Sequence, residues 1–316
     1  MKGNNENDKI KQNEMQLSGR IGIMKVLKKV GWFIVAMLPA LLSLVLQIGC
    51  AVVVMVVYVL QEIAKAPGTV SYDYALEQAV YVYMDNAMYI VVLYQIIGLV
   101  IFGLWYYLAY GRKPRPSGAE KPDYKGVAAI IWLGIGMQFF ITGILNIIYL
   151  LNPGIMESYM ELMETAGITE FTLVTFIATV ILAPLGEEIL CRGIIFRIAG
   201  KVSGRFWVAN CIQAFAFGVI HGNLVQGSYA FLIGLVLGYI YGKYHNIWYC
   251  MLLHGVINFT SNFIDFYFEL FPEGYEVLVL IGNIIVSSLL ILFCFKVLGK
   301  RKELPADAVL TVENVD

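Results

Sequence analysis

The 316-residue chain is 59% hydrophobic and only 14% charged, with a mean hydropathy of +0.73, which excludes an ordinary soluble domain and marks an integral membrane protein. A net charge of −1 gives no reason to expect a nucleic acid partner; in such a chain the placement of charge matters more than its sum. The five cysteines, Cys50, Cys191, Cys211, Cys250 and Cys294, fall in apolar stretches without CxxC spacing and read as reduced, packed thiols.

The polar, mixed-charge segment Met1 to Arg20 leads into a long apolar stretch with no small-residue cleavage site, so the first span is expected to stay in the membrane. A ruler of about twenty apolar residues per crossing gives eight spans. They are Gly31 to Leu60, Met88 to Tyr110, Val127 to Leu151, Phe171 to Ile195, Phe206 to His221, Ser228 to Tyr244, Ile247 to Ile264 and Val277 to Leu298. On this map every one of the 22 Lys and Arg except Lys65 falls in the N-terminal tail, the alternate loops, the C-terminal tail or, for Arg192, Lys243 and Lys296, the last turn of the span that leads into them. The positive-inside rule then places both termini in the cytoplasm of a multi-pass cell-membrane protein.

The expected fold is an all-α transmembrane bundle. It divides into a cytoplasmic tail (1–30), three accessory helices (31–151), a core that carries the buried polar groups (171–298) and a cytoplasmic C-terminal tail (299–316). The outer loop from Gln61 to Ala87 is expected to lie on the membrane surface as an amphipathic helix. The proline-containing stretch from Arg112 to Lys125 reads as an irregular connector, and the residues from Glu303 onward as a polar, disordered tail. Gly234, Gly238 and Gly242 recur every fourth residue and should let a neighbouring helix approach closely.

Two adjacent carboxylates, Glu187 and Glu188, lie in the apolar run Ala-Pro-Leu-Gly-Glu-Glu-Ile-Leu-Cys-Arg from Ala183 to Arg192. A charge at membrane depth costs at least ~2.5–3.5 kcal/mol, so these acids need partners or a polar cavity. The strongly polar groups that later spans offer toward such a cavity are read as His221, His254 and Asn258. Adjacent helical residues point about 100° apart, so the two acids should not face the same partner. Glu188 can pair with Arg192 at i,i+4, leaving Glu187 to project elsewhere. Pro184 and Gly186 suggest a kink or restart of the helix just before the acids, which would lend them an N-terminal dipole.

Phe217 and His221, and likewise His254 and Asn258, are spaced i,i+4 and share a face. Two chemistries fit this set. In one, Glu187 is a general base that activates water, His221 orients that water, and His254 with Asn258 stabilises an oxyanion. In the other, Glu187, His221 and His254 bind zinc, which lowers the pKa of a bound water to about 7. Either would hydrolyse a peptide bond.

Taken in order, Glu187-Glu188-x-x-x-Arg192, Phe217-x-x-x-His221 and His254-x-x-x-Asn258 resemble the motifs of the CPBP family of intramembrane proteases, which includes CAAX prenyl endopeptidases and bacterial Abi proteins. The resemblance covers roughly Phe171 to Ile264. It implies a membrane-embedded endopeptidase acting on a membrane-associated or lipidated peptide or protein. Glu187 would be its base, Glu188 and Arg192 organisers, and His221, His254 and Asn258 would complete the site. Both a zinc-dependent and a metal-free glutamate mechanism are attributed to the family.

Other readings of the same residues are a non-catalytic scaffold or bacteriocin-immunity protein, and a proton-coupled transporter that uses Glu187 and the histidines as a relay. One measurement resists a shared site. Counted from Phe171 and Phe206 along antiparallel helices, Glu188 and His221 fall about 26 and 22 Å from opposite ends. A break at Pro184 and a fifth helix that starts deeper than Phe206 are expected to reconcile them.

Overall fold

A computed structural model describes residues 2–65, 71–111, 123–169, 171–272 and 274–299, and among them the backbone is helical with no strand. The helices are α1 (Lys2–Lys65), α2 (Tyr72–Asp85), α3 (Ala87–Gly111), α4 (Tyr124–Leu151) and α5 (Pro153–Thr165). They continue as α6 (Leu173–Ser203), α7 (Phe206–Val219), α8 (Leu224–Tyr244), α9 (Ile247–Ser261), α10 (Ile264–Glu269) and α11 (Glu276–Gly299). Among the described residues six stretches are long and apolar enough to cross a membrane: Arg20–Lys65 of α1, and α3, α4, α6, α8 and α11. The expected fifth and seventh spans are the shorter α7 and α9, of 14 and 15 residues, which at 1.5 Å per residue reach only about 21–22 Å.

Helix starts follow the local chemistry. Asp123, Asn152, Thr172, Asn223 and Asn246 each turn a side-chain oxygen onto a backbone N–H of the first turn that follows, at 2.7–3.4 Å. Between Gln61 and Ala87 the chain is helical on both sides of residues 66–70: α1 runs on to Lys65, and α2, capped by Ser71, buries Ala75 and Ala79. The connector expected from Arg112 lies outside the described residues as far as residue 122, as does the tail expected from Glu303.

The α7 and α8 helices pack closely, and the glycine stripe explains it. A Cβ at Gly242 would sit 2.2 Å from the Phe206 ring, one at Gly238 1.7 Å from Asn210 Oδ1, and one at Gly234 2.9 Å from the Ala214 Cα. The partners step along α7 by four as the glycines step back along α8, which is antiparallel register at backbone contact distance. Around this pair, α6 packs on α3 and α9, α4 packs on α9 and α11, and α1 lies against α2, α3 and the end of α6.

The expected break at Pro184 does not occur. The backbone from Leu182 through Ile189 keeps right-handed helical angles, and α6 is continuous over 31 residues. Proline is absorbed by a π turn. Ala183 N–H bonds the carbonyl of Ala178, five residues back, and the extra residue per turn relieves the clash a proline ring makes in a regular helix. A second wide turn spans Ile189–Ile195, where Phe196 N–H reaches Cys191. With no restart, α6 presents no N-terminus of its own to the acids.

The fifth helix likewise does not start deeper than Phe206. What reconciles the depths is the end of α6, which runs to Ser203 rather than Ile195 and turns back through Gly204 at φ +67°. Glu188 lies 15 residues before Ser203 and His221 15 residues after Phe206, so both stand about 22 Å from the same hairpin turn.

Candidate active site

At the middle of α6, Glu188 is fully buried and Glu187 is 23% exposed at the side chain. Glu188 Oε1 accepts from Arg192 Nη1 at 2.9 Å, one turn on, with the arginine equally buried. The second wide turn of α6 surrounds Arg192, whose guanidinium stacks over the Phe217 ring at 4.8 Å and donates through Nη2 to the Gly234 carbonyl at 3.1 Å. The buried charge is thus matched by one carboxylate, one aromatic face and one carbonyl dipole.

His254, on α9, meets both acids. Its Nδ1 lies 2.9 Å from Glu188 Oε1, and its Nε2 lies 3.9 Å from Glu187 Oε2. This corrects the expectation that adjacent acids cannot share a partner. The two ring nitrogens point to different sides of the imidazole, so one ring fills the wedge between side chains about 100° apart. An ionised carboxylate can only accept, so Nδ1 donates to Glu188, and Nε2 is left facing Glu187. Glu187 Oε2 is buried and has no hydrogen-bond partner among the described residues.

His221 lies just beyond α7. Its Nδ1 donates to the Phe217 carbonyl at 2.7 Å, which fixes the same tautomer and leaves Nε2 as its acceptor. The Phe217 ring stands edge-to-face with His221 at 4.9 Å and with His254 at 5.6 Å, so a phenyl ring couples the two imidazoles. Asn258, one turn after His254, donates from Nδ2 to the Thr179 carbonyl at 2.8 Å. Its second N–H remains.

Glu187, His221 and His254 are the residues that would hold a zinc. Among the described residues no three His, Cys, Asp or Glu side chains come together as a metal site. His254 Nδ1 is held by Glu188 and His221 Nδ1 by a carbonyl, the outer contacts that metal-ligating histidines make, and both Nε2 atoms stay open; what a three-ligand zinc would lack in this arrangement is the convergence of the third side chain. The cysteines are free thiols; Cys191, Cys250 and Cys294 are buried, whereas Cys211 is exposed on α7 rather than packed.

Three features were missed in the sequence. Asn210 and Gln213, both fully buried on α7, are polar groups in a later span beyond the three expected. Two polar residues three apart in an apolar helix are the signal that could have revealed them. Accessory helix α3, which carries Tyr94, packs against the stretch of α6 that holds the two acids, so the first helices also border the site. Thr179 joins through a backbone carbonyl and leaves no side-chain signal.

Against models of known families, residues 169–260 match the type II CAAX prenyl endopeptidase Rce1-like family, a stretch that runs from just before α6 nearly to the end of α9. Among curated proteins and among solved structures, no significant match was found.

Proposed function

We propose, for a chain whose residues 169–260 form an Rce1-like domain of the CAAX-type intramembrane protease family, that it is a glutamate-type endopeptidase cutting a membrane-associated or lipidated peptide. The observation that carries this reading is the Glu187–His254–Glu188 wedge. A buried carboxylate oxygen without a partner stands 3.9 Å from an imidazole acceptor whose other nitrogen is fixed by a buried ion pair. A water about 2.8 Å from both atoms would see them about 88° apart, near enough to its bond angle for two bent hydrogen bonds that hold it with a lone pair free to attack.

In this account Glu187 takes a proton from that water as the water oxygen bonds to the scissile carbonyl carbon. The carbonyl oxygen gains the negative charge and is met by the free N–H of Asn258. The C–N bond then breaks, and protonated Glu187 returns the proton to the leaving amine. Glu188 and Arg192 do not touch the substrate; they hold His254 at a fixed tautomer and angle. His221, held by the Phe217 carbonyl, packs on the same phenyl ring as His254 and takes no bond from that water, whose two hydrogens go to Glu187 and His254. The positive-inside distribution supports cytoplasmic termini; in that orientation the Gly204 hairpin lies on the cytoplasmic side and the acids about 22 Å from it.

The test is cleavage by the full chain in its host membrane and by Glu187→Gln at equal abundance. Loss of a cleaved product with the variant supports the proposal. Unchanged products together with an unchanged phenotype would favour the scaffold or immunity reading.

A further inference from the structure

Behind Arg192, on the side away from Glu188, lies a chain of buried amides that no part of the mechanism uses. Gln213, fully buried on α7, donates from Nε2 both to the Asn210 side-chain oxygen at 2.7 Å and to the Gly234 carbonyl at 2.8 Å. That carbonyl is the one that accepts from Arg192 Nη2 at 3.1 Å. Asn210 is in turn held by its own Nδ2 on the Leu235 carbonyl at 3.0 Å. The orientation of the Gln213 amide is fixed, because both neighbours are acceptors and a flipped amide would set oxygen against oxygen.

Such groups cost free energy to bury in an apolar helix pair, and α7 and α8 already pack closely through their glycines. Gly238, which has no Cβ, makes the room that Asn210 and Gln213 occupy. The amides therefore add something beyond adhesion: they fix the one carbonyl that anchors the far side of the Arg192 guanidinium.

We infer that Gln213 is a positioning residue for the site. It acts through the Gly234 carbonyl on Arg192, through Arg192 on Glu188, and through Glu188 on His254. A guanidinium is planar, with a rigid fork of donors, so fixing Nη2 on Gly234 sets where Nη1 meets Glu188. Without the Gln213 bond the Gly234 carbonyl is free to tilt, the fork rotates, and the Glu188 oxygen that holds His254 Nδ1 shifts with it. The kinetic part of this inference rests on the peptidase reading; the geometric part does not.

The protein has three histidines, His221, His245 and His254, so labelling them with nitrogen-15 gives a resolvable report on each ring. The experiment compares full-length wild type with Gln213→Met in detergent or nanodiscs, and repeats the comparison with Gln213→Glu, which keeps the side-chain shape, should Gln213→Met not accumulate. The expected result is a moved His254 Nδ1 resonance with His245 unmoved. In the same preparations, kcat on a peptide identified from the Glu187→Gln comparison falls about 10- to 100-fold while KM stays within about twofold.

A folded variant whose His254 resonance matches wild type overturns the inference. So does a variant in which all three histidines move together and KM rises with the loss of kcat, which is the behaviour of general loosening. If His254 moves alone but wild type and Glu187→Gln show the same cleavage, the relay stands and the peptidase reading falls.

Discussion

Asn258 donates to the backbone carbonyl of Thr179, the carbonyl that the sequence around Pro184 leaves without a helical donor. In a regular helix Ala183 N–H would bond Thr179, but here it reaches Ala178; the next candidate, residue 184, is a proline with no N–H. The asparagine of the third motif thus completes the helix that carries the first.

This bond predicts a specific epistasis. Asn258→Leu orphans a buried carbonyl and should destabilise by about 1–3 kcal/mol. Pro184→Ala returns an N–H to α6, so the double variant should lose clearly less than Asn258→Leu alone. Thermal unfolding in one detergent checks the cycle; additive losses would mean the Thr179 carbonyl has another donor.

The buried pair predicts a separation of stability from activity. Glu188→Ala leaves the Arg192 guanidinium without its carboxylate and should cost about 3–5 kcal/mol. Glu188→Gln with Arg192→Met removes both charges together and should recover most of that stability, yet remain inactive because His254 has lost the carboxylate that orients it. Unfolding midpoints and cleavage rates on the same preparations give both halves.

Glycines on either side of the site should answer differently to a methyl group. Gly186 has open space where a Cβ would go and sits in a continuous helix, so Gly186→Ala should be active and stabilised by roughly 0.5–1 kcal/mol. Gly234→Ala would drive a Cβ into Ala214 and displace the carbonyl that anchors Arg192, so it should lose both stability and activity. An inactive but folded Gly186→Ala would instead mark a hinge in α6.

His245 carries the pH prediction. It caps α8 in the left-handed region, at φ 49°, with its ring buried, and burial first, then the nearby Arg197 charge, hold its pKa below the ordinary 6.5. As pH falls past 6.5 the unfolded chain takes up this proton before the folded protein does, so stability drops with falling pH until the lowered folded value is passed. His245→Asn, which accepts the left-handed cap, should flatten that slope across the window just below 6.5. Unfolding midpoints at several pH values will show whether it does.

Much of the site was legible because apolar surroundings make polar residues conspicuous. The Glu187–Glu188 pair, the i,i+4 spacing to Arg192 and the glycine stripe all follow from helical geometry applied to the sequence. What sequence reasoning misjudged were quantities that depend on a partner helix. Pro184 looks like a break until the π turn and Asn258 are seen to absorb it. Glu188 looked misplaced in depth only because the apolar run seemed to stop at Ile195, whereas α6 continues through its amphipathic end to Ser203. The ring of His254 bridges two side chains that helix geometry sets apart, and nothing in the spacing of α6 could announce a ring from α9. Asn210 and Gln213 were visible but passed over, since their role appears only through the carbonyl of Gly234.

The most direct test is quantitative mass spectrometry of membrane-associated and released peptides from host cells carrying wild type or Glu187→Gln at matched abundance. The account predicts that one or more precursors accumulate with Glu187→Gln while their cleaved products disappear. Identical peptide profiles from the two strains, with both proteins folded in the membrane, would contradict it.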